Sequence, residues 1–168
     1  LPVHPSVRAV VVVPDLTLET SLTRSVLPET YDKSDAVHNV QRAVLLTSSL
    51  CHPDACTITE AMQDRIHQPY RQTLVPGMEE ILQIRDLDDL LGISISGSGP
   101  SVLALTTGNC DAIGARIAQE FQRHGIASEV LALDVQWEGV TVRNHLSHAS
   151  LHRPILSCKS SSLPEPQS

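Results

Sequence analysis

An α+β fold is expected, with helices packed on one face of an antiparallel sheet. Three observations predict it. Ile93 and Ile95 alternate with serines and are followed, across a glycine-rich turn, by a second β-like run, Val102–Thr106. Two more β-like runs, Arg8–Pro14 and Glu129–Gln136, stand far from that pair in sequence. Between these four runs the apolar residues recur at helical spacing.

Taken in order, Arg8–Pro14 reads RAVVVVP, a buried strand stopped by proline. Leu18–Leu27 is a short helix candidate closed by Pro28. Ser34 or Asp35 is positioned to cap a helix running to about Ser49, with Val37, Val40 and Val44 on one stripe beside Ala36 and Ala43. Cys51–Pro53 breaks the pattern, and Asp54 is positioned to cap a helix carrying Ile58, Ala61, Met62 and Ile66, ended by Pro69. Pro76 opens another helix, through Met78, Ile81 and Leu82 to about Leu87. After the strand pair, Asn109 or Asp111 caps a helix to about His124 with Ile113, Ile117 and Phe121 on one face, and Gly125 stops it. Beyond Asn144 the chain turns rich in Ser, His and Pro without sustained periodicity. The expected organisation is one domain over 1–144 and a disordered tail over 145–168.

Composition narrows the function classes. The 168 residues include only four aromatics, Tyr31, Tyr70, Phe121 and Trp137, too few for a platform that stacks nucleic-acid bases. A formal charge of -7 disfavours DNA, so no nucleic-acid partner is expected. Apolar runs such as Ala9–Val13 fall far short of the roughly 20 residues of a membrane span, so no membrane partner is expected either. Cys51, Cys56, Cys110 and Cys158 lack framework spacing, which suits reduced thiols in the cytoplasm or an organellar matrix. Of the 12 basic residues, 10 are Arg, the residue suited to forked recognition of carboxylate or phosphate. The chain starts at Leu1 rather than Met and reads as a piece of something longer.

Several constellations carry candidate chemistry. The loop Ser96-Gly97-Ser98-Gly99-Pro100-Ser101 is either a tight hairpin or an anion-binding nest of backbone N–H groups. It lacks the Gly-Lys-Ser/Thr of a P-loop and the third glycine of a dinucleotide fingerprint. Asp64–Arg71 concentrates two Arg, a His and a Tyr at a helix end. Arg71, just past the proline stop, is placed to fork onto a carboxylate, or else to sit on a solvated helix terminus. Arg42, inside the valine-spaced helix, either faces a partner domain or snorkels. Cys51-His52 with Cys56, and the set His145, His148 and His152, are incomplete as metal sites, and no resident metal is expected in this chain.

Together these residues resemble the C-terminal half of the homoserine kinases, a family of GHMP small-molecule kinases. The resemblance rests on VVVVPDLTLET (Val10–Thr20), Arg24 with Val26–Pro28, DAVHNVQRA (Asp35–Ala43), HQPYRQTLVPGMEEI (His67–Ile81) and ISGSGPSVLAL (Ile95–Leu105), collinear from about Val7 to Asn144. It implies a GHMP C-terminal domain of ferredoxin-like, split βαβ type. It implies ATP-dependent phosphorylation of L-homoserine to O-phospho-L-homoserine, on the route to threonine. It places Arg71 on the substrate carboxylate, with Arg42, Asn39 and His67 in the same pocket. It makes Ser96, Gly97, Ser98, Gly99 and Ser101 a support for the phosphate-binding loop. That loop, of the Pro-x-x-x-Gly-Leu-Gly-Ser-Ser type, is absent from this sequence. So is the stretch that would carry the Mg²⁺-holding acid. ATP and Mg²⁺ are therefore expected on a missing N-terminal GHMP domain, no catalytic residue is assigned to this half, and the chain alone is expected to be inactive. A homodimer is compatible with this reading. The competing readings are another GHMP kinase of mevalonate type and a non-enzymatic amino-acid-binding module.

Overall fold

The computed structural model describes residues 2–136, 138, 140 and 142. In chain order the elements are β1 (Arg8–Pro14), α1 (Thr20–Ser25), α2 (Lys33–Ser49), α3 (Ala55–Ala61) and α4 (Gln68–Arg71). A 3-10 turn (Gln72–Leu74) follows, then α5 (Met78–Leu82), β2 (Leu90–Ile95), β3 (Val102–Thr106), α6 (Cys110–Arg123) and β4 (Ser128–Asp134). The four strands form one antiparallel sheet in the order β2-β3-β1-β4. The expected α+β class and the four expected strands are therefore present, but the helices are not confined to one face: α5 and α6 cover one side of the sheet and α3 packs on part of the other.

The valine run is central because β1 pairs on both sides. Val10 stands opposite Ala104 and Ala132, and Val12 opposite Val102 and Val130. Alternation then sends Val10, Val12, Ile93, Ile95, Val102 and Ala104 to one face. Met78 and Ile81 of α5 and Ile113, Ile117 and Phe121 of α6 cover that face, all fully buried. Each such side chain contributes about 1.5–3 kcal/mol by leaving water. A smaller cluster, Val7, Ile58, Met62 and Leu91, packs with Leu105, whose side chain alternates to the other face. It forms where α3 crosses β2. Gly92 permits the crossing: a Cβ there would lie 2.7 Å from Met62 Sδ. α2 packs behind α3.

Several expected boundaries are corrected. α2 begins at Lys33 with Asp32 in the cap position, so Ser34 and Asp35 lie in its first turn. α3 stops at Ala61 and does not reach Ile66. Pro69 is not a stop: it sits in the first turn of α4, where a missing N–H costs nothing. α5 spans only Met78–Leu82, because Gly77 takes a left-handed φ of 84° before it and Arg85 Nη1 donates to the carbonyls of Leu82 and Ile84 after it. β4 starts at Ser128 and ends at Asp134. Other expectations hold: Asp54 accepts from Thr57 N at 2.7 Å, Asn109 accepts from Ala112 N at 3.0 Å, and Gly125 takes a φ of 74° beyond α6. The compact unit runs through Val135. The tail over 145–168, with His145, His148, His152 and Cys158, lies outside the described residues, as does Trp137.

Candidate functional site

The site is organised by one carboxylate. Asp64 Oδ2 accepts from His67 N at 2.7 Å and Gln68 N at 2.6 Å, satisfying amides that open α4. Its Oδ1 accepts from Asn39 Nδ2 of α2, and Asn39 Oδ1 in turn accepts from Arg65 N at 3.0 Å. Burial pushes the Asp64 carboxyl up, but the amides of Gln68 and His67 and the Asn39 side chain outweigh it, so the group is held below its usual range. His67 Nε2 lies 3.7 Å from Asp64 Oδ1.

Gln68 then fixes α4 to the sheet. Its buried amide donates to Met62 O at 3.2 Å and accepts from Ile95 N at 2.8 Å, at the last residue of β2. Three residues on, Arg71 Nε donates to Thr23 O of α1 at 3.2 Å and Arg71 Nη1 donates to Gly97 O at 3.1 Å. A guanidinium has five N–H groups, so three remain for a ligand, and the side chain is only partly buried. Arg24, exposed, follows the carbonyl that Arg71 holds. Arg71 thus stands on a helix, not in the loop past a proline stop that the sequence suggests.

The glycine loop closes the β2-β3 hairpin. Ser96 N donates to Ser101 O at 2.8 Å and Gly99 N to Ser96 O at 3.0 Å. Gly97 and Gly99 take φ of 61° and 79°, the left-handed region that glycine occupies without strain. The N–H groups of Gly97 and Ser98 make no backbone hydrogen bond among the described residues. The loop is therefore a hairpin that still offers two adjacent donors, with Ser98 exposed at its tip.

The sequence-predicted residues fall into two groups. Arg71 and the loop Ser96–Ser101 come together. Asn39, Arg42 and His67 gather instead where α2 meets α3 and the Asp64 turn. Arg42 neither snorkels nor stands free: its Nη2 pairs with Glu60 of α3. Three buried nitrogens have no partner among the described residues: His38 Nε2, Arg42 Nε and His67 Nδ1. Burial, followed by the nearby Arg65 and Arg42 charges, lowers the His38 pKa. A cavity of about 300 Å³ beside this seam is lined by His38, Asp64, Arg65, Gln68, Gln72 and Arg85 among others; part of the expected Asp64–Arg71 cluster borders it, but Arg71, Arg42, Asn39 and His67 do not.

Asp64 and Gln68 stand inside the expected Asp64–Arg71 cluster without an assigned role, and His38 stands outside it. Asp64 carries a usable signal, an Asp shortly before a helix with proline in its first turn. Nothing local marks Gln68 or His38, whose roles depend on distant partners.

The family described as GHMP kinases C terminal matches residues 46–127. The homoserine kinase of Schizosaccharomyces pombe is 42% identical over 148 residues, covering 85% of this chain and 44% of the relative. That of Saccharomyces cerevisiae is 40% identical over 144 residues, covering 83% of this chain and 40% of the relative. The crystal structure of a homoserine kinase from Cytophaga hutchinsonii superposes with a TM-score of 0.68 at 33% identity, covering 80% of this chain and 44% of that one. The chain spans under half the length of the curated relatives it matches.

Proposed function

The chain belongs to the homoserine kinase family of the GHMP kinases, and we propose that it is the substrate-side half of an enzyme that phosphorylates L-homoserine. The reaction transfers the γ-phosphoryl of ATP to the homoserine hydroxyl, giving O-phospho-L-homoserine for threonine synthesis. One observation carries the reading at this site: Arg71 is clamped between Thr23 O and Gly97 O, leaving a fork beside the glycine hairpin. A guanidinium held at two points is preorganised, and a bidentate pair with a carboxylate needs that planar fork.

Phosphoryl transfer is catalysed by positioning and charge stabilisation rather than by covalent chemistry from the protein. In this proposal Arg71 holds the homoserine carboxylate and so fixes the hydroxyl at the other end of the substrate. Asn39, with His67 beside the same carboxylate, positions Arg71 through Asp64 and α4. Arg42 holds α2 to α3 through Glu60. The free N–H groups of Gly97 and Ser98, with the serines around them, support the phosphate loop supplied by the other half. ATP and Mg²⁺ are assigned to that half, because this sequence has no Gly-Leu-Gly-Ser-Ser-type loop.

The test joins this chain to an N-terminal GHMP half and measures both Michaelis constants. Arg71→Ala should lose a charge-assisted contact of about 2–4 kcal/mol, raising the homoserine KM by about 30-fold or more. The ATP KM should stay within a factor of two. An unchanged homoserine KM would remove Arg71 from the substrate site.

A further inference from the structure

Gln68 is a buried polar side chain, 8% exposed, and both ends of its amide are committed. Nε2 donates to Met62 O at 3.2 Å, and Oε1 accepts from Ile95 N at 2.8 Å. One partner is an acceptor and the other a donor, so the side chain must both give and take a hydrogen bond, as an amide does. β2 is an edge strand, and its outward N–H and C=O groups need partners that no neighbouring strand supplies. Thr59 of α3 meets the same need at Leu91 O, at 2.8 Å. The edge is thus satisfied from more than one element, and that need does not by itself call for the helix that carries Arg71.

What sets Gln68 apart is its place on α4. It precedes Arg71 by three residues, and residues at that spacing lie about 5–6 Å apart on one side of a helix. Their partners, Ile95 N and Gly97 O, are two residues apart, at most about 7 Å along the chain. Two side chains of one helix therefore grip two nearby points where β2 runs into the Ser96–Ser101 hairpin. Side-by-side tethers fix both the distance and the tilt of α4 against that hairpin, whereas one tether leaves a pivot. The Arg71 tether is open to solvent, and a ligand carboxylate draws on the same guanidinium. The Gln68 tether is buried, where a hydrogen bond is electrostatically stronger than in water.

We propose that Gln68 is a positioning residue that holds the Arg71 fork at a fixed offset from the hairpin, and that this offset sets the length of acceptor the site accepts. The proposal rests on the reading of Arg71 as the carboxylate anchor and deepens it. With the carboxylate fixed at Arg71, the acceptor hydroxyl meets the phosphoryl group only if the chain between them has the right number of methylenes. A displacement of about 1 Å between reacting groups can cost about 100-fold in rate. A tether that holds α4 against such a displacement selects acceptor length, although Gln68 itself is no part of the fork.

The experiment uses this chain joined to an N-terminal GHMP half. It compares L-homoserine with L-serine, one methylene shorter, and 5-hydroxy-L-norvaline, one methylene longer. The readout is the ratio of kcat/KM between acceptors, which does not depend on how much of a preparation is folded. Gln68→Met keeps the bulk and removes both hydrogen bonds. It should lower kcat/KM for homoserine by about tenfold or more and leave the ATP KM within twofold. It should also cut the preference for homoserine over the better analogue by about fivefold or more. Gln68→Asn draws the amide back by one methylene and should cut the preference in the same direction, so it carries the test if Gln68→Met does not fold. Thr59→Val removes the other edge contact and should leave the preference within twofold. No relative gain for either analogue in the Gln68 variants, or an equal gain in Thr59→Val, would overturn the positioning role and leave the Arg71 reading standing. An unchanged homoserine KM in Arg71→Ala would overturn that reading instead, and the role of Gln68 with it. A joined wild-type enzyme that does not phosphorylate homoserine would overturn both.

Discussion

Arg71 reaches two carbonyls that are far apart in sequence, Thr23 O and Gly97 O, and this sets what a replacement can do. Lysine keeps the charge but is a point donor on a flexible stem. In the joined enzyme Arg71→Lys should therefore recover only part of the homoserine KM lost in Arg71→Ala, and steady-state kinetics on the two variants checks this. His38 makes a separate prediction about pH. Its pKa is lowered from 6.5 by burial, then by Arg65 and Arg42, so the unfolded chain binds its proton more readily than the folded one. The stability it contributes is present above about pH 6.5 and is lost as the pH falls below that value. Urea unfolding at pH 7.5, 6.5 and 5.5 should show that decline, and His38→Gln should flatten it. Asp64 acts lower: its carboxyl is held down by its three donors, so its contribution is present above its unfolded value near 3.8 and lost as the pH falls through the lowered one.

α4 is only four residues long, too short to persist without help. Its start rests on Asp64 and its side on Gln68, so the element is held from outside. Asp64→Ala should cost about 2–4 kcal/mol in urea unfolding, combining a lost cap with unsatisfied amides. The hairpin loop responds to a different physics. Gly97 has nothing within 4 Å of a built Cβ, so space does not demand glycine there, but its φ of 61° does. Gly97→Ala should destabilise by about 1–2 kcal/mol, and Gly97→Asn by less, because asparagine tolerates the left-handed region. Equal losses in the two variants would show that something other than backbone conformation sets the cost.

For the whole molecule, the proposed two-half reading sets one further expectation. The chain alone, incubated with homoserine and Mg·ATP, should give no phosphohomoserine above background in a coupled ADP assay, and turnover at the rate of an intact kinase would overturn the two-half reading. The sequence by itself determined the class, the four strands, the caps at Asp54 and Asn109, the hairpin at Ser96–Ser101 and the family. These are local: valine runs, glycine angles and cap oxygens act within a few residues, and motif order needs no coordinates. It misplaced the ends of α3 and α5 and the role of Pro69, because those depend on which side chain satisfies a distant backbone group. Only the tertiary structure decided that Arg71 meets Gly97, that Asn39 bonds to Asp64, and that Arg42 is committed to Glu60. It alone also turned the valine stripe of α2 outward. Periodicity shows that a helix has an apolar side, but which side finds cover depends on contacts between elements remote in sequence, and the inner side of α2 is already occupied by α3.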